Sequence, residues 1–223
     1  MQHYPFKAAA GSSHRRLIGL IPLWCPKGGR FVDLGAFGGE VGGAVRSHFG
    51  TTTAVERDPD QMATLAARYD RVVIADLEQI ENLPGPLDAV LLADVLEHLR
   101  APEELLSLAA KRLAPGGRIF ISIPNVANLA IRLQLLLGRF EYQDRGILDR
   151  THVRFYTRKT ARRLIESAGL TVLHEAATPV PIREAFPAWP WFLVGLLEAI
   201  ALMLTPVWPT LFGYQFIFVT EKK

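Results

Sequence analysis

The chain has 223 residues, of which 49% are apolar and 21% are charged, and its formal net charge is +3. This length suits one large domain or one domain with an insertion, and so small a charge does not argue for a nucleic-acid partner. The single cysteine, Cys25, excludes an internal disulfide framework and a cysteine-based zinc site. We expect a cytoplasmic protein that has no signal peptide, no bound metal and no nucleic-acid partner.

Helix-like and strand-like segments alternate along the chain. A first helix is predicted over 12–24, with Ser12 or Ser13 as its N-cap. Strands are then predicted at 30–34, 51–56, 71–75, 87–92 and 118–123, and helices at 39–49, 59–69 and 102–113. Further on, helices are predicted at 126–137 and after Thr157, and strands at 170–177 and 213–220. Strands separated by helices predict parallel βαβ units, hence an open α/β sheet with helices on both faces.

A glycine-rich turn, FVDLGAFGGEVGG at 31–43, follows the first strand. Gly35, Gly38 and Gly39 have no Cβ and can take positive φ, so the backbone can approach a ligand closely. The turn also leads into a helix, whose first amide N–H groups can point at a polar group. Taken alone, these residues could equally serve packing.

Acidic residues end four successive predicted strands: Asp33, Glu56, Asp76 and Asp94. Ligands of such sheets bind at the carboxyl ends of the strands. Glu56 lies 21 positions after Gly35, the interval at which a carboxylate accepts hydrogen bonds from ribose hydroxyls. Asp76 lies 20 positions after Glu56 and could accept an adenine amino proton. The register of the four carboxylates predicts one nucleoside site.

A dinucleotide-binding fold would form the same sheet, but its G-x-G-x-x-G turn needs glycine where this chain has Phe37. A carboxylate such as Asp33 suits a cationic group and is a poor neighbour for a pyrophosphate. The pattern therefore favours a cofactor that carries ammonium and sulfonium groups.

Five segments resemble class I S-adenosylmethionine-dependent methyltransferases in order and spacing: FVDLGAFGGEVG, AVERD, IADLEQ, DAVLLADVLEHL and LAPGGRIFISIPN. The resemblance covers roughly residues 12–178. It implies S-adenosyl-L-methionine as cofactor and a Rossmann-like sheet of about seven strands. The final GYQFIFVTEKK looks like the antiparallel seventh strand of that fold.

The same resemblance implies roles for individual residues. Asp33, Gly35 and Gly39 would hold the methionine part of the cofactor, Glu56 the ribose and Asp76 the adenine. Leu77 would pack on the adenine ring, and Asp94 would border the reactive centre. His14, before the first helix, could contact the cofactor's carboxylate.

Phe37 departs from the family's commonest turn, D-x-G-x-G-x-G, at the middle glycine. Some methyltransferases with an E-x-G-x-F-x-G turn carry phenylalanine there and still bind the cofactor. We therefore keep Phe37 in the predicted cofactor site and expect Gly38, next to Gly39, to supply the lost conformational freedom.

Positive charge is concentrated in residues 139–163, which contain eight Arg or Lys and three Asp or Glu. The cations after Thr157 are expected on the outer face of a helix. The residues before it mix charges with aromatics, which favours a substrate-binding lid: Asp149, Arg150, Arg154 and Tyr156. LDRTHVRFYT also resembles a stretch of methyltransferases encoded with glycosyltransferases, which implies a saccharide or lipid-linked saccharide hydroxyl as acceptor.

Transfer to a hydroxyl benefits from a general base. His98 and His152 are the candidates, since imidazole titrates near pH ~6.5. His98 follows Asp94 by four positions, so one helical turn would bring them together, although His98 could also simply pack beside Glu97.

An apolar insertion at 186–212 separates the last two predicted strands of a single domain, 1–223. Its uninterrupted part, 191–205, has 15 residues and includes Glu198, whereas a span of the bilayer needs ~20. We predict an apolar helical hairpin that does not cross a membrane.

Tryptophans at the ends of the insertion favour peripheral contact with the inner membrane face through 189–208. The alternatives are a bound lipid tail, a hydrophobic lid and a homodimer interface. For the activity, the alternatives to O-methylation are C- or N-methylation of a small metabolite and a non-catalytic module that binds S-adenosylmethionine.

Overall fold

A computed structural model of the chain describes residues 11–223, which contain seven β-strands. They are β1 (Arg30–Leu34), β2 (Thr51–Glu56), β3 (Arg71–Ile74), β4 (Leu87–Ala93), β5 (Leu113–Pro124), β6 (Leu170–Thr178) and β7 (Gln215–Lys222). The strands form one sheet in the order β3-β2-β1-β4-β5-β7-β6. β1 to β5 run parallel, and β7 is antiparallel to both β5 and β6. This confirms the predicted Rossmann-like sheet with its antiparallel last strand.

Nine α-helices accompany the strands in residues 11–223. They are α1 (Ser13–Trp24), α2 (Glu40–Ala44), α3 (Met62–Ala66), α4 (Pro102–Arg112), α5 (Leu129–Leu136), α6 (Arg158–Ser167), α7 (Ile182–Ala185), α8 (Trp191–Val207) and α9 (Pro209–Phe212). Short 3-10 helices cover Arg46–His48, Pro59–Gln61 and Leu96–His98. Ser12 caps α1 and Thr157 caps α6 through their side-chain oxygens, as predicted.

Apolar side chains cover both faces of the sheet. On one face, Leu105 of α4 and Ile165 of α6 pack with alternate residues of the central strands. On the other face, Leu17 and Ile21 of α1 pack with Phe31 and with the buried strand residues that point away from the first face. Burying one such side chain stabilises the fold by roughly 1.5–3 kcal/mol, so the two layers together hold the parallel strands in register.

The helix that follows the glycine turn is shorter than predicted. α2 ends at Ala44, where the prediction was a helix over 39–49. Gly42 and Gly43 lie within α2, and each glycine costs a helix roughly 1 kcal/mol relative to alanine. Gly42 is required by packing, because a Cβ there would lie 2.4 Å from Asp33 Oδ2 and 2.3 Å from the Tyr69 hydroxyl.

The apolar insertion does not form the predicted hairpin. It forms one continuous helix, α8, between the short helices α7 and α9. Pro206 lies in the last turn of α8, where its missing N–H removes the helical bond to the carbonyl oxygen of Leu202, and the helix ends at the next residue, Val207. No helix within residues 11–223 is both long and apolar enough to cross a bilayer.

Candidate active site

The carboxyl ends of the parallel strands lie side by side and carry the predicted acidic residues. β2, β1 and β4 are neighbours in the sheet. Glu56 is the last residue of β2, Asp33 the fourth of β1, and Asp94 directly follows β4. Asp76 follows β3 at the outer side of the same edge. The strand register therefore brings all four carboxylates to one edge of the sheet.

The glycine turn between β1 and α2 is held by β2 and contains three left-handed residues. The backbone N–H groups of Gly35 and Ala36 both donate to the carbonyl oxygen of Val55, at 2.8 and 3.1 Å. Gly35 has a φ of +75°, Gly39 one of +74° and Phe37 one of +47°. The expectation that Gly38 supplies the missing freedom was wrong, since Phe37 itself adopts the conformation that glycine favours.

Glu56 fixes the turn from β2. Its Oε2 accepts the Phe37 N–H at 2.8 Å, and its Oε1 accepts the N–H groups of Arg57 and Asp58 at 2.9 and 3.0 Å. An ionised carboxylate has roughly four acceptor positions, so Oε2 keeps one for a further donor. Glu56 can therefore hold the turn and a ribose hydroxyl together.

Asp33 lies beneath the turn and is 3% exposed. The Tyr69 hydroxyl donates to its Oδ2 at 2.5 Å. Burial raises the pKa of Asp33 to about 7, while the Tyr69 hydrogen bond opposes this rise and the Glu56 charge adds to it. The side chain thus stabilises the turn from below and does not stand at its open surface.

Asp76 and Leu77 lie beyond the end of β3. Asp76 is exposed and closes a local turn, with its Oδ1 accepting the Glu78 N–H at 3.0 Å. Leu77 reaches the glycine turn, since its Cδ1 lies 3.6 Å from the position that a Cβ on Gly35 would occupy. Leu77 is thus placed to form an apolar wall beside the turn.

Asp94 adopts a left-handed conformation, with a φ of +57°, and is held by side chains from two other strands. Its Oδ1 accepts the Ser122 hydroxyl of β5 and the Gln215 amide of β7, the latter at 2.7 Å. Gln215 in turn accepts the hydroxyl of Ser13 at 2.8 Å. Ser13, Ser122 and Gln215 are all buried. This network fixes the orientation of the Asp94 carboxylate.

The same network places His14. It follows Ser13 in the first turn of α1, so this end of the helix lies beside Gln215 and the end of β4. The role of His14 near the cofactor's carboxylate stays a prediction.

The two candidate bases are neighbours, with ring centroids 4.8 Å apart. His98 Nδ1 lies 3.2 Å from the carbonyl oxygen of Thr151, and His152 Nδ1 lies 3.0 Å from that of Ile147. A carbonyl only accepts, so Nδ1 carries the proton on each ring and Nε2 can accept one. Burial lowers the pKa of both imidazoles, and His98 lowers that of His152 further. Both rings are therefore neutral at pH 7.

Glu97 is 1% exposed beside this pair. Its carbonyl oxygen accepts the N–H groups of Val153 and Arg154 at 2.9 and 3.1 Å, which ties the segment containing His152 to the end of β4. Ligand atoms of Glu97, His98 and His152 lie within 4.8 Å of one another, and among the described residues this is the group that could hold a metal ion. The sequence did not lead us to expect such a group.

The four residues expected to bind substrate are not brought together. Asp149 is 1% exposed and accepts the N–H and hydroxyl of Thr151 at 2.8 and 2.6 Å, so it shapes the loop that carries His152. Arg150 forms an exposed ion pair with Asp144 at 2.7 Å.

The other two, Arg154 and Tyr156, line a separate recess of about 470 Å³ between α4 and α6. Arg154 lies 3.6 Å from Glu103 there. Tyr156 is 7% exposed, and burial raises the pKa of its hydroxyl to about 12. Two of the four residues thus line this recess and the other two do not, and the predicted contact with substrate stays a prediction.

Sequence reasoning missed the residues that support the site: Ser13, Tyr69, Glu97, Ser122 and Gln215. Gln215 and Ser122 carried a weak signal, since each is a polar residue within an apolar strand. Such residues are buried in a sheet of this kind only when a partner satisfies them.

Three comparisons relate this arrangement to known proteins. A family model described as a methyltransferase domain matches residues 1–175. The ubiquinone biosynthesis O-methyltransferase of Xylella fastidiosa strain 9a5c is 30% identical over 139 residues, covering 59% of this chain and 54% of that protein. That of Aeromonas salmonicida strain A449 is 29% identical over 156 residues, covering 65% and 64%. The chain thus spans about half to two thirds of the length of these relatives.

Solved structures share the fold. An S-adenosylmethionine-dependent methyltransferase from Thermotoga maritima, described as a possible histamine N-methyltransferase, superposes with a TM-score of 0.65 at 15% identity, over 96% of this chain and 89% of that one. One from Archaeoglobus fulgidus gives 0.61 at 20% identity, over 97% and 96%. At these identities the likeness concerns the fold alone.

Proposed function

The chain belongs to the class I S-adenosylmethionine-dependent methyltransferases, and we propose that it methylates a hydroxyl of a saccharide or a lipid-linked saccharide. Membership of this family favours an enzyme over a non-catalytic binding module. The observation that carries the proposal is the pair His98 and His152, whose Nε2 atoms can accept a hydroxyl proton beside the end of β4.

The acceptor-rich edge of the sheet fits S-adenosylmethionine. The cofactor offers an ammonium group, two ribose hydroxyls and an adenine amino group, all of which are donors. We assign the ribose hydroxyls to Glu56, whose Oε2 keeps one acceptor position, and the adenine to Asp76 and Leu77. Gly35, Phe37 and Gly39 form the turn against which the methionine part would lie, with Asp33 below and His14 beside it.

The bound cofactor supplies an electrophilic methyl group on sulfur, and the protein contributes position and a base. Holding an acceptor oxygen in line with that methyl group can supply much of the acceleration. A neutral imidazole would take the hydroxyl proton at Nε2 as the acceptor oxygen gains the methyl group and the sulfur loses it. Asp94, fixed by Ser122 and Gln215, presents a carboxylate that stabilises the imidazolium.

Two observations support the choice of a hydroxyl acceptor. The relatives in Xylella and Aeromonas are O-methyltransferases by name. The stretch LDRTHVRFYT, which contains His152, resembles methyltransferases encoded with glycosyltransferases. C- or N-methylation of a small metabolite uses the same cofactor residues and is the alternative that an acceptor screen decides.

The acceptor screen uses S-adenosylmethionine labelled in its methyl group. Free saccharides, lipid-linked saccharides and small amines are offered in parallel, and the methylated atom is identified by mass spectrometry and NMR. We expect label in an ether of a saccharide hydroxyl. Label on nitrogen or carbon, with none on oxygen, would overturn the proposal while leaving the methyltransferase assignment intact.

The base is tested by pH dependence. Because the pKa of each imidazole is lowered, we expect kcat/KM to be constant above pH ~6.5 and to fall only below it. His98→Gln or His152→Gln should lower kcat by about 10²–10⁴-fold, and the variant that lacks the base should lose the acid limb. His174→Gln in β6 is the matched control. Full activity in both variants would assign the proton to another group.

A further inference from the structure

α8 exposes a continuous set of large apolar side chains, which we call the apolar surface. Its most exposed members are Trp191, at 79%, Val207, at 79%, and Met203, at 72%. The other members are Phe192, Leu196, Ile200, Leu202 and Trp208. Single exposed apolar residues are ordinary, but a patch of this kind marks an interaction site.

The exposed residues cover about half of the helix circumference at roughly 100° per residue. The opposite side packs on the protein, where Val194 and Thr205 are 3% and 2% exposed. The single charged residue of α8, Glu198, lies on the packed side and pairs with Arg183 at 3.2 Å. The outward half of α8 is therefore uncharged along its whole length.

Aromatic residues lie at both ends of the helix. Trp189 precedes the first turn, Trp191 begins it, and Trp208 follows the last turn, with exposures of 43%, 79% and 54%. Tryptophan is enriched where apolar and aqueous phases meet. α8 is 17 residues long, or about 25 Å at 1.5 Å per residue, and no helix in residues 11–223 can cross a bilayer. These properties fit a helix that lies in the plane of an interface.

A second apolar helix, α5, begins beside the segment that follows α8 and α9. The side-chain amides of Asn125 and Asn128 donate to the carbonyl oxygen of Gly213 at 2.8 and 2.9 Å, which joins the start of α5 to the segment after α9. α5 exposes Leu133, at 52%, and Leu136, at 81%. The charged residues next to these leucines are cations, Arg132 and Arg139, and both are exposed.

We propose that the apolar surface, together with the exposed leucines of α5, docks the protein on the surface of a bilayer that contains anionic lipids. The apolar side chains enter the boundary between headgroups and acyl chains, and Arg132 and Arg139 meet lipid phosphates. The charges disfavour a second copy as occupant, because a two-fold interface would repeat the same cations on both sides, and Glu198 is already bonded to Arg183. The inference does not depend on which hydroxyl the enzyme methylates.

Vesicle co-sedimentation of the full chain tests the proposal. The probes are vesicles of phosphatidylcholine alone and of phosphatidylcholine mixed with phosphatidylglycerol. We expect binding to the mixed vesicles. The triple variant Phe192→Ser, Leu196→Ser and Met203→Ser should lose at least about tenfold in partitioning, since each substitution removes apolar surface that would be buried in the bilayer. Charge reversal, Arg132→Glu with Arg139→Glu, should remove the preference for the mixed vesicles.

The matched control replaces three exposed apolar residues elsewhere: Leu23→Ser, Met62→Ser and Val73→Ser. It should bind vesicles as the unsubstituted protein does, and circular dichroism verifies that each variant is folded. Sedimentation velocity over a range of protein concentrations tests the alternative that a second copy of the chain covers the apolar surface. Failure of the unsubstituted protein to bind either vesicle, or a dimer that the α8 variant abolishes, would overturn the proposal.

Discussion

Phe37 holds a backbone conformation that normally favours glycine, with a φ of +47°, in the middle of the turn that shapes the cofactor site. The left-handed region costs an ordinary residue roughly 1–2 kcal/mol. Hydrogen bonds offset that strain, because the Phe37 N–H donates to Glu56 and the turn is held by the carbonyl oxygen of Val55.

Substitutions at Phe37 should separate backbone strain from side-chain packing. Phe37→Gly relieves the strain but increases the conformational entropy of the unfolded chain. The two effects oppose each other, so we expect the free energy of unfolding to change by less than about 1 kcal/mol. Phe37→Val puts a β-branched residue at positive φ and should lower the free energy of unfolding by about 2 kcal/mol. Urea denaturation measures both. Equal stability of the valine variant would show that the turn relaxes to another conformation.

Asp33 should make stability depend on pH in the opposite sense to an exposed, ion-paired carboxylate. Burial raises its folded pKa to about 7, so its contribution is present below pH ~4 and is lost as the pH rises through 7. Relative to Asp33→Asn, the unsubstituted protein should lose roughly 1.4 kcal/mol per pH unit across this interval.

Urea denaturation between pH 5 and 8 measures this difference. Asp70→Asn is the control, because hydrogen bonds from Thr52 lower the pKa of Asp70, and its contribution is lost only as the pH falls through that lowered value. A constant difference between Asp33→Asn and the unsubstituted protein from pH 5 to 7 would contradict the buried, protonated state of Asp33.

Gln215 should act as a positioning residue for Asp94. Gln215→Leu removes a hydrogen bond to a charged group, worth roughly 1.5–3 kcal/mol, and we expect kcat to fall about tenfold or more with little change in KM for the acceptor. Gln215→Glu places a second carboxylate 2.7 Å from Asp94 and should shift the pH dependence of kcat. Gln61→Leu is the control. An unshifted pH profile with full kcat in both variants would leave Gln215 a structural role only.

The carboxylates of the site could be predicted from the sequence because parallel register fixes where each strand ends. The partner that orients Asp94 could not, since Gln215 lies 121 positions away and reaches it only through strand order. The same holds for His98 and His152: each was a candidate, but their contact depends on how 149–156 folds over the end of β4. The burial of Asp149 and Tyr156 could not be predicted either, because charge and aromaticity do not reveal which side chains a loop buries.

At the scale of elements, the agreement is closest for three central strands and for α1 and α4, whereas β5 begins at Leu113, five residues before its predicted start. Apolar runs with buried faces define β1, β2 and β4 to within a residue. α2 and α3 are shorter than their periodicity indicated, and tertiary packing decides where they end. α8 differs most from its prediction, because a helical hairpin was expected and one helix instead runs from Trp191 to Val207.

The adjacent glycines of α2, Gly42 and Gly43, allow the effect of close packing to be compared with the effect of helix propensity. Gly42→Ala should lower the free energy of unfolding by about 2 kcal/mol or more, because a methyl group there meets Asp33 and the Tyr69 hydroxyl. Gly43→Ala meets only the Arg68 side chain, at 3.1 Å, and should change stability by less than about 1 kcal/mol, with helix propensity favouring alanine. Thermal and urea denaturation measure the pair. If both variants gain stability, Gly42 does not pack as described.

At the scale of the whole molecule, the order of the strands along the chain differs from their order in the sheet. β7 lies between β5 and β6, and β6 has no other neighbour in the sheet. The apolar insertion lies between β6 and β7 in sequence. The last strand of the chain is therefore the one that joins the outermost strand to the rest.

This order has a consequence for synthesis on the ribosome, where a chain emerges from its N-terminus. β6 and one side of β5 stay without their sheet partner until Gln215–Lys222 has been made. α8 precedes β7 in the chain and therefore leaves the ribosome before it. During that interval the nascent chain presents two open strand edges and an uncovered apolar helix, which are features that recruit chaperones or a nearby bilayer. Closure of the sheet and completion of the network around Asp94 then occur together, because both depend on the arrival of β7.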